Sequence, residues 1–365
     1  MSKGTVVVGM SGGVDSSVAA LILKEQGYNV IGVTMQIWQE EDYENASENG
    51  GCCGLSAVDD ARRIAKQIGI PYYVMNFRRE FQEKVIDYFV EEYRRGRTPN
   101  PCIACNRYIK WEALLHRALE IGADYIATGH YGKIVKLENG RYSVAKSASI
   151  KKDQSYVLYN LTQEELAHTI FPLYGYEKEE VRKIAEDNNL GVAHKKDSQD
   201  ICFVPDKDYA SFIERETGIK CPEGRFVDKD GRFLGENKGI IHYTVGQRKG
   251  LGISFGEPRF VTAIYPEENS VVLGSAEDLM VTRVRVDDVN MMSVAEITEP
   301  ISCTGKLRYS QKDMPCTIIP GPEGSVFAEF DEPVRAATPG QSAVFYKDDV
   351  ILCGGVLSGR NDNQV

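Results

Sequence analysis

Apolar runs and helical periods alternate along the first third of the chain. The run "TVVVGM" leads into a helical stretch from Ser16 to Gln26 that Gly27 stops. "NVIGVTMQIW" follows, then a helix over about residues 56–68 ended by Gly69, then "PYYVMNF". A long amphipathic helix over about 78–95, a second over 107–121 stopped by Gly122, and the run "YIATGH" complete the alternation. Strands of this kind are buried on both faces, so the pattern predicts an α/β domain with a doubly wound parallel sheet. Ligands of such sheets bind at the carboxyl ends of the strands.

Residues 39–54, "QEEDYENASENGGCCG", are acidic, rich in Gly and Asn and without period, and read as a loop or lid. After a hairpin signal at "LENGRY", helices are expected from about 153 to 189. Beyond residue 204 short alternating segments are punctuated by "DKDGR", "YPEENS" and "GPEGS". They predict two small β-rich units joined near residue 280. The expected division is 1–205 for the α/β domain, 206–280 for a central β-rich domain and 281–365 for a last β-rich domain.

A length of 365 residues fits two or three such domains. No apolar run reaches the roughly 18 residues of a membrane span, and the N-terminus enters a strand directly, so the expected location is the cytoplasm with no membrane partner. The net charge of −10 argues against a generic nucleic-acid coat. Local basic surface remains available at Arg94, Arg95 and Arg97, at Lys151 and Lys152, at Lys195 and Lys196, and at Arg248 and Lys249. Nine cysteines, with Cys221, Cys303, Cys316 and Cys353 scattered singly, read as reduced thiols rather than a disulfide framework. Cys52 and Cys53, the pair Cys102 and Cys105, and Cys202 stand apart from that scatter.

The first strand runs into "SGGVDSS", which opens a helix. Backbone N–H groups of a Gly-rich turn at a helix N-terminus make an anion nest, and Gly12 and Gly13 let a phosphate approach closely. The sequence is neither the Lys-bearing P-loop nor the dinucleotide fingerprint. Without a Lys in the loop to bridge β- and γ-phosphates, a fold that clasps pyrophosphate as a leaving group fits better than a γ-phosphoryl transferase. The other chemistry-bearing stretch is "NPCIACNRYIKW". C-x-x-C is half of a zinc site, but no second C-x-x-C completes it. Direct thiol chemistry, an iron–sulfur cluster held by Cys102, Cys105 and Cys202, and inert buried thiols all remain open from the residues alone.

"SGGVDSS" behind the first strand resembles the pyrophosphate loop of N-type ATP pyrophosphatases. Seven blocks, "GMSGGVDSS", "RTPNPCIACNRYIKW", "DYIATGHY", "KDQSYVLY", "KKDSQDICF", "HYTVGQRKGLGI" and "TPGQSAVFY", occur in the order found in tRNA-specific 2-thiouridylases and span nearly the whole chain. The resemblance implies an ATP pyrophosphatase-type catalytic domain, two small β-rich domains of which the last is a β-barrel, and ATP-dependent 2-thiolation of the wobble uridine of tRNAs for Lys, Glu and Gln. It implies adenylation of the C2 oxygen, sulfur supplied by a cysteine persulfide, and a disulfide left behind to be reduced. On this resemblance Cys105 and Cys202 are the catalytic pair. ATP contacts fall on Gly9, Met10, Ser11, Gly12, Gly13, Val14, Asp15, Ser16, Met35 and Gly129. Ser11 and Ser16 would donate to phosphate and Asp15 would help hold Mg²⁺. Contacts to tRNA or its target base fall on Asn100, Pro101, Cys102, His130, Lys152, Asp153, Gln154, Arg308, Tyr309 and Gln341. The implied partners are tRNA and a sulfur-donor protein, a cysteine desulfurase or a sulfur-relay protein. Many relatives carry an aspartate where this chain has Cys102, so that aspartate's acid/base work does not carry over to the thiol. A helix starting near Asn106 would set Cys105 at a helix N-terminus and favour its thiolate. Competing readings are a small-molecule adenylating ligase of the same fold, of the argininosuccinate or GMP synthetase type, and a tRNA-binding or iron–sulfur carrier protein without turnover.

Overall fold

The computed structural model describes residues 2–37, 55–195 and 201–358. The acidic stretch with Cys52 and Cys53, and Lys196, lie outside these residues. The chain divides into two compact units. One holds the residues up to Val85 with Cys102–Lys207, the other Ile86–Pro101 with Asp208–Val365.

The first unit is built on a five-stranded parallel sheet. Its strands are β1 (Thr5–Gly9), β2 (Asn29–Gln36), β3 (Tyr72–Asn76), β4 (Tyr125–Ala127) and β7 (Thr169–Ile170), in the order β3-β2-β1-β4-β7. A hairpin of β5 (Lys133–Lys136) and β6 (Tyr142–Ala145) sits at the "LENGRY" signal. Val6, Val7 and Val8 of β1 are fully buried because β1 is a central strand covered on both faces, which is why its sequence shows no alternation. Helix α1 (Val14–Glu25) packs Val18, Ala19, Ile22 and Leu23 into this core, and α2 (Leu55–Ile68) adds Ala61, Ile64 and Ala65. Gly27 and Gly69, both with positive φ, end these two helices at the predicted places.

The expected helix over 78–95 is a continuous helical run, α3, made of Arg78–Phe81, Gln82–Ile86 and Asp87–Arg94. The next run, α4, comprises Pro101–Ala104, Cys105–Leu115 and His116–Glu120. Cys105–Leu115 has the wider i→i+5 hydrogen bonding of a π-helix. The sequence reading began α4 several residues too late. Pro101 already occupies its first turn, where a residue without an N–H loses nothing and a fixed φ suits the helix. Of the helices expected over 153–189, the chain forms short turns, α5 (Gln163–Ala167) and α6 (Lys178–Asp187), with β7 between them.

The second unit holds the β-rich part. After α7 (Tyr209–Thr217), strands β8 (Gly224–Val227), β9 (Phe233–Asn237), β10 (Phe260–Tyr265) and β11 (Ser270–Gly274) form a sheet in the order β10-β11-β8-β9. Strands β12 (Met280–Met291), β13 (Ile301–Lys306), β14 (Met314–Pro320), β15 (Val326–Arg335), β16 (Ser342–Lys347) and β17 (Val350–Leu357) close into a six-stranded barrel, since β12 pairs with both β15 and β17. Val284, Val286, Ile318, Ala328, Phe345 and Leu352 fill its interior. "DKDGR", "YPEENS" and "GPEGS" are the β8–β9, β10–β11 and β14–β15 connections, as their turn residues indicated. No helix among the described residues is long and apolar enough to cross a membrane.

Candidate active site

Strands β1 and β4 are parallel neighbours, but the chain leaves β1 through α1 towards β2 on the other side. The carboxyl ends of β1 and β4 therefore flank the point where strand order reverses, the ligand-binding crevice of such sheets. The loop Met10–Gly13 sits there. Gly12 has φ +67°, and a Cβ on it would lie 2.3 Å from the Ala57 carbonyl oxygen of α2. A Cβ on Gly129, just beyond β4, would lie 2.7 Å from the Ser16 nitrogen. Any side chain at either position would push the loop away from its neighbours.

Within the loop, the Ser11 N–H donates to Ser16 Oγ at 3.1 Å, and the two hydroxyls lie 3.3 Å apart. Ser16 and Ser17 Oγ both donate to the Gly13 carbonyl, at 3.2 and 2.8 Å. Gly13 is the N-cap of α1 and supplies no side-chain cap. The loop thus presents hydroxyls and a helix N-terminus to an incoming anion. Met10 lies beneath it, buried, with its carbonyl accepting from Thr34 Oγ1 at 2.7 Å. Met35, the next residue of β2, is buried, and Val14 starts α1 from the core.

Asp15 has partners other than the expected metal. Lys178 Nζ lies 2.7 and 2.8 Å from its two carboxylate oxygens, and the Tyr131 hydroxyl donates to Oδ1 at 2.8 Å. Among the described residues no three His, Cys, Asp or Glu side chains gather closely enough to hold a metal ion. The alternative reading of a cluster on Cys102, Cys105 and Cys202 finds no such set of side chains among the described residues. Positive charge reaches the loop from elsewhere in the chain. Lys178 is buried at the first turn of α6, and Lys195 donates to the Gly12 carbonyl at 3.1 Å while pairing with Asp60 at 2.8 Å. The sequence reading saw no loop Lys and missed Lys178. A signal was present, because a lysine opening a helix followed by two glutamates opposes the helix dipole unless a carboxylate holds it.

Cys105 projects from the second turn of α4, so it does not occupy the helix N-terminus that the sequence suggested, whereas Cys102 lies in the first turn. Cys102 is exposed, and Cys105 and Cys202 are half-buried. The residues after Cys105 explain the "CNRYIKW" pattern. Asn106, buried, donates to the Val157 carbonyl at 2.8 Å and accepts from Lys110 Nζ at 2.9 Å. Trp111, also buried, donates to Thr169 Oγ1 at 2.7 Å. These two bonds fix the rotation of α4 and hence the direction of Cys105. Phe203, next to Cys202, meets Phe81 edge-on with ring centroids 5.9 Å apart, and the first turn of α3 that carries Phe81 packs on α4. Both thiols belong to segments seated on that turn.

Residues 4–206 match the family described as tRNA methyl transferase HUP domain, 210–275 the tRNA methyl transferase PRC-barrel domain, and 281–357 the aminomethyltransferase beta-barrel domain. A tRNA-specific 2-thiouridylase MnmA of Lachnoclostridium phytofermentans is 59% identical over 96% of this chain and 99% of its own. The chain belongs to the tRNA-specific 2-thiouridylase family. Relatives of the same name from Clostridium kluyveri and Clostridioides difficile are each 54% identical over 96% of this chain, covering 98% and 97% of theirs. Among solved structures, an NMN synthetase from Francisella tularensis aligns with 54% of this chain and 67% of its own, at 14% identity and a TM-score of 0.33.

The remaining residues singled out by the sequence resemblance fall as follows. His130 is buried between Trp111 and Phe171, and its Nδ1 lies 2.7 Å from Thr128 Oγ1. Desolvation, with Lys110 adding to it, holds its pKa well below 6.5. The folded ring stays neutral where the unfolded chain begins to take up a proton, so stability falls as pH drops below about 6.5, by at most about 1.4 kcal/mol per unit. Urea unfolding at pH 7.5 and 5.5 is expected to show a loss in the wild type about 1 kcal/mol larger than in His130→Asn. Equal losses would refute a neutral buried imidazole. Asp153 accepts from the Ser147 N–H at 2.9 Å and the Ser155 hydroxyl at 2.7 Å, and Gln154 Oε1 accepts from the Tyr131 N–H at 3.0 Å. Lys152 ends the short 3₁₀ turn before them. In the second unit Asn100 precedes Pro101, the Arg308 guanidinium donates to the Val245 carbonyl at 2.9 Å and to Thr338 Oγ1, and Gln341 Nε2 donates to the Thr98 carbonyl at 2.8 Å. Tyr309 is exposed. Arg308 and Gln341 thus spend donors inside their own unit. Nearby, Arg95 pairs with Glu91 and Arg97 with Glu92, which occupies two of the basic residues read as nucleic-acid candidates.

Proposed function

We propose that this chain places sulfur on C2 of the wobble uridine of tRNAs for Lys, Glu and Gln, using ATP and a cysteine persulfide. Family membership makes it an ATP-using tRNA sulfurtransferase. The observation that carries the finer reading is that one compact unit holds both the anion nest at Ser11–Ser16 and two half-buried thiols, Cys105 and Cys202. Adenylation needs the first and sulfur delivery the second. The C2 oxygen attacks the α-phosphate of ATP and pyrophosphate leaves into the nest. The terminal sulfur of a Cys202 persulfide attacks C2 and AMP leaves. The Cys105 thiolate then attacks Cys202 Sγ, releasing 2-thiouridine and leaving a Cys105–Cys202 disulfide, which a cellular thiol reduces. A uridine held for this chemistry must leave its stack.

Ser11 and Ser16 orient phosphate, Lys178 and Tyr131 fix Asp15, and Asn106 with Trp111 aims Cys105. The buried His130 ring supports Gly129 and Trp111 rather than the base. Mg²⁺ is assigned to the nucleotide phosphates, because Asp15 is bonded to Lys178 and the described residues hold no three-ligand set; no step is routed through a protein-held ion. The sulfur reaches Cys202 from a cysteine desulfurase or a sulfur-relay protein in the cytoplasm, and the three-domain division at about 205 and 280 separates this chemistry from the β-rich parts.

The test is a mercury-retarding gel of unmodified tRNA(Glu) transcript with ATP, Mg²⁺ and a persulfide donor. Retardation that needs ATP and vanishes when position 34 is cytidine is expected. Retardation of the cytidine-34 transcript would refute the wobble assignment.

A further inference from the structure

Asp15 belongs to a closed circuit of hydrogen bonds whose far side is not at the nucleotide. Its carboxylate accepts from Tyr131 Oη at 2.8 Å and from Lys178 Nζ at 2.7 and 2.8 Å. Tyr131 is clamped at its backbone by Gln154, whose N–H donates to the Tyr131 carbonyl at 2.8 Å and whose Oε1 accepts from the Tyr131 N–H at 3.0 Å. Lys178 follows Glu177, and Glu177 Oε2 accepts from Ser149 Oγ at 2.5 Å. Ser149 and Gln154 bracket one short segment, which Asp153 closes on itself through Ser147 and Ser155. Tyr131, Lys178, Ser147, Ser149 and Ser155 are all buried, whereas the tip between the two ends, Ile150 and Lys151, is exposed, Ile150 at 85%. An exposed aliphatic beside Lys151 and Lys152 fits a polyanion that also offers apolar base surface.

We infer that Tyr131 and Lys178 are positioning residues that couple the two substrates, so that tRNA held at the Ile150–Lys152 tip tightens ATP at the phosphate loop. The inference rests on the tRNA-thiolating reading above. Each strut runs from the ends of the tip segment to the same carboxylate, so ordering the segment orders Asp15. By linkage, ATP tightens tRNA by the same factor.

The experiment titrates α,β-methylene-ATP into the full chain, with and without saturating unmodified tRNA(Glu) transcript, for wild type, Tyr131→Phe and Ser149→Ala. Thiolation by the wild type is followed in the same preparation. The wild type is expected to bind the analogue about tenfold tighter with tRNA present, within the usual range of such couplings. Tyr131→Phe deletes only the hydroxyl and is expected to bring that ratio to about twofold or less, whatever it does to the affinity without tRNA, because the ratio compares one protein with itself. Ser149→Ala cuts the other strut and lowers the ratio independently, which covers a poorly folding Tyr131→Phe protein. A wild-type ratio near one, or unchanged ratios in both variants, overturns the coupling. Absence of thiolation by the wild type overturns the tRNA reading instead, and the coupling with it.

Discussion

The Cys202→Ser protein is expected to turn over ATP on tRNA and to transfer no sulfur. Cys202 lies in the catalytic unit, half-buried, beside Phe203, which seats its segment on the same α3 turn that contacts the Cys105 helix. A serine there cannot carry a persulfide. In the proposed mechanism adenylation uses the phosphate loop, which contains neither thiol, so AMP should still appear through hydrolysis of the activated uridine. Thiolation on the mercury gel should fall at least about a thousandfold, as loss of a covalent group does. Cys105→Ser should fail at a different step. With no thiolate to release the product, the tRNA is expected to stay joined to Cys202 through a disulfide that dithiothreitol cleaves and that shifts the protein on a non-reducing gel. Cys102→Ser, exposed in the first turn of α4, should remain near wild type. Thiolation by the Cys202→Ser protein would end the persulfide assignment, and activity loss in all three variants together with bound iron would point to a cluster.

Lys178→Met should cost both stability and the ATP-dependent step. Lys178 is buried, with its ammonium on both oxygens of Asp15. Removing one partner of a buried pair leaves an uncompensated charge, a loss of about 3–5 kcal/mol. Asp15 retains 30% side-chain exposure, so water relieves part of this and the expected loss is about 2–3 kcal/mol. Adding Asp15→Asn removes the stranded charge and should return much of the stability, while AMP formation stays low in both proteins. Urea unfolding and tRNA-dependent AMP release read the two effects separately. A Lys178→Met protein as stable and as active as wild type would mean the pair does not hold the loop.

The sequence by itself determined the elements whose cause is local. Val6–Val8 without alternation, Gly27 and Gly69 at positive φ, and the turns at 228–232, 265–270 and 321–325 each follow from a residue's own backbone preference or from a short-range period. The internal hydrogen bonding of the Ser11–Ser16 turn has the same local cause, since Gly13 and Ser16 act within a few bonds of one another. The motif blocks carried the family, and "NPCIACN" marked Cys102 and Cys105, but α4 begins at Pro101, ahead of the expected start near residue 107, because a proline fits a helix's first turn. Only the tertiary structure decided which cations serve the phosphate loop. Lys178 and Lys195 lie 163 and 183 positions from their partners Asp15 and Gly12, and a pairing over that separation leaves no periodic trace. The burial of His130 among Trp111, Phe171 and Thr128, and the circuit through Tyr131 and Gln154, are likewise made by strand order in the sheet. A β1 flanked by β4 and β2 brings chain segments from residues 10, 130, 150 and 178 to one edge, and that adjacency is a property of the packed sheet rather than of any stretch of sequence.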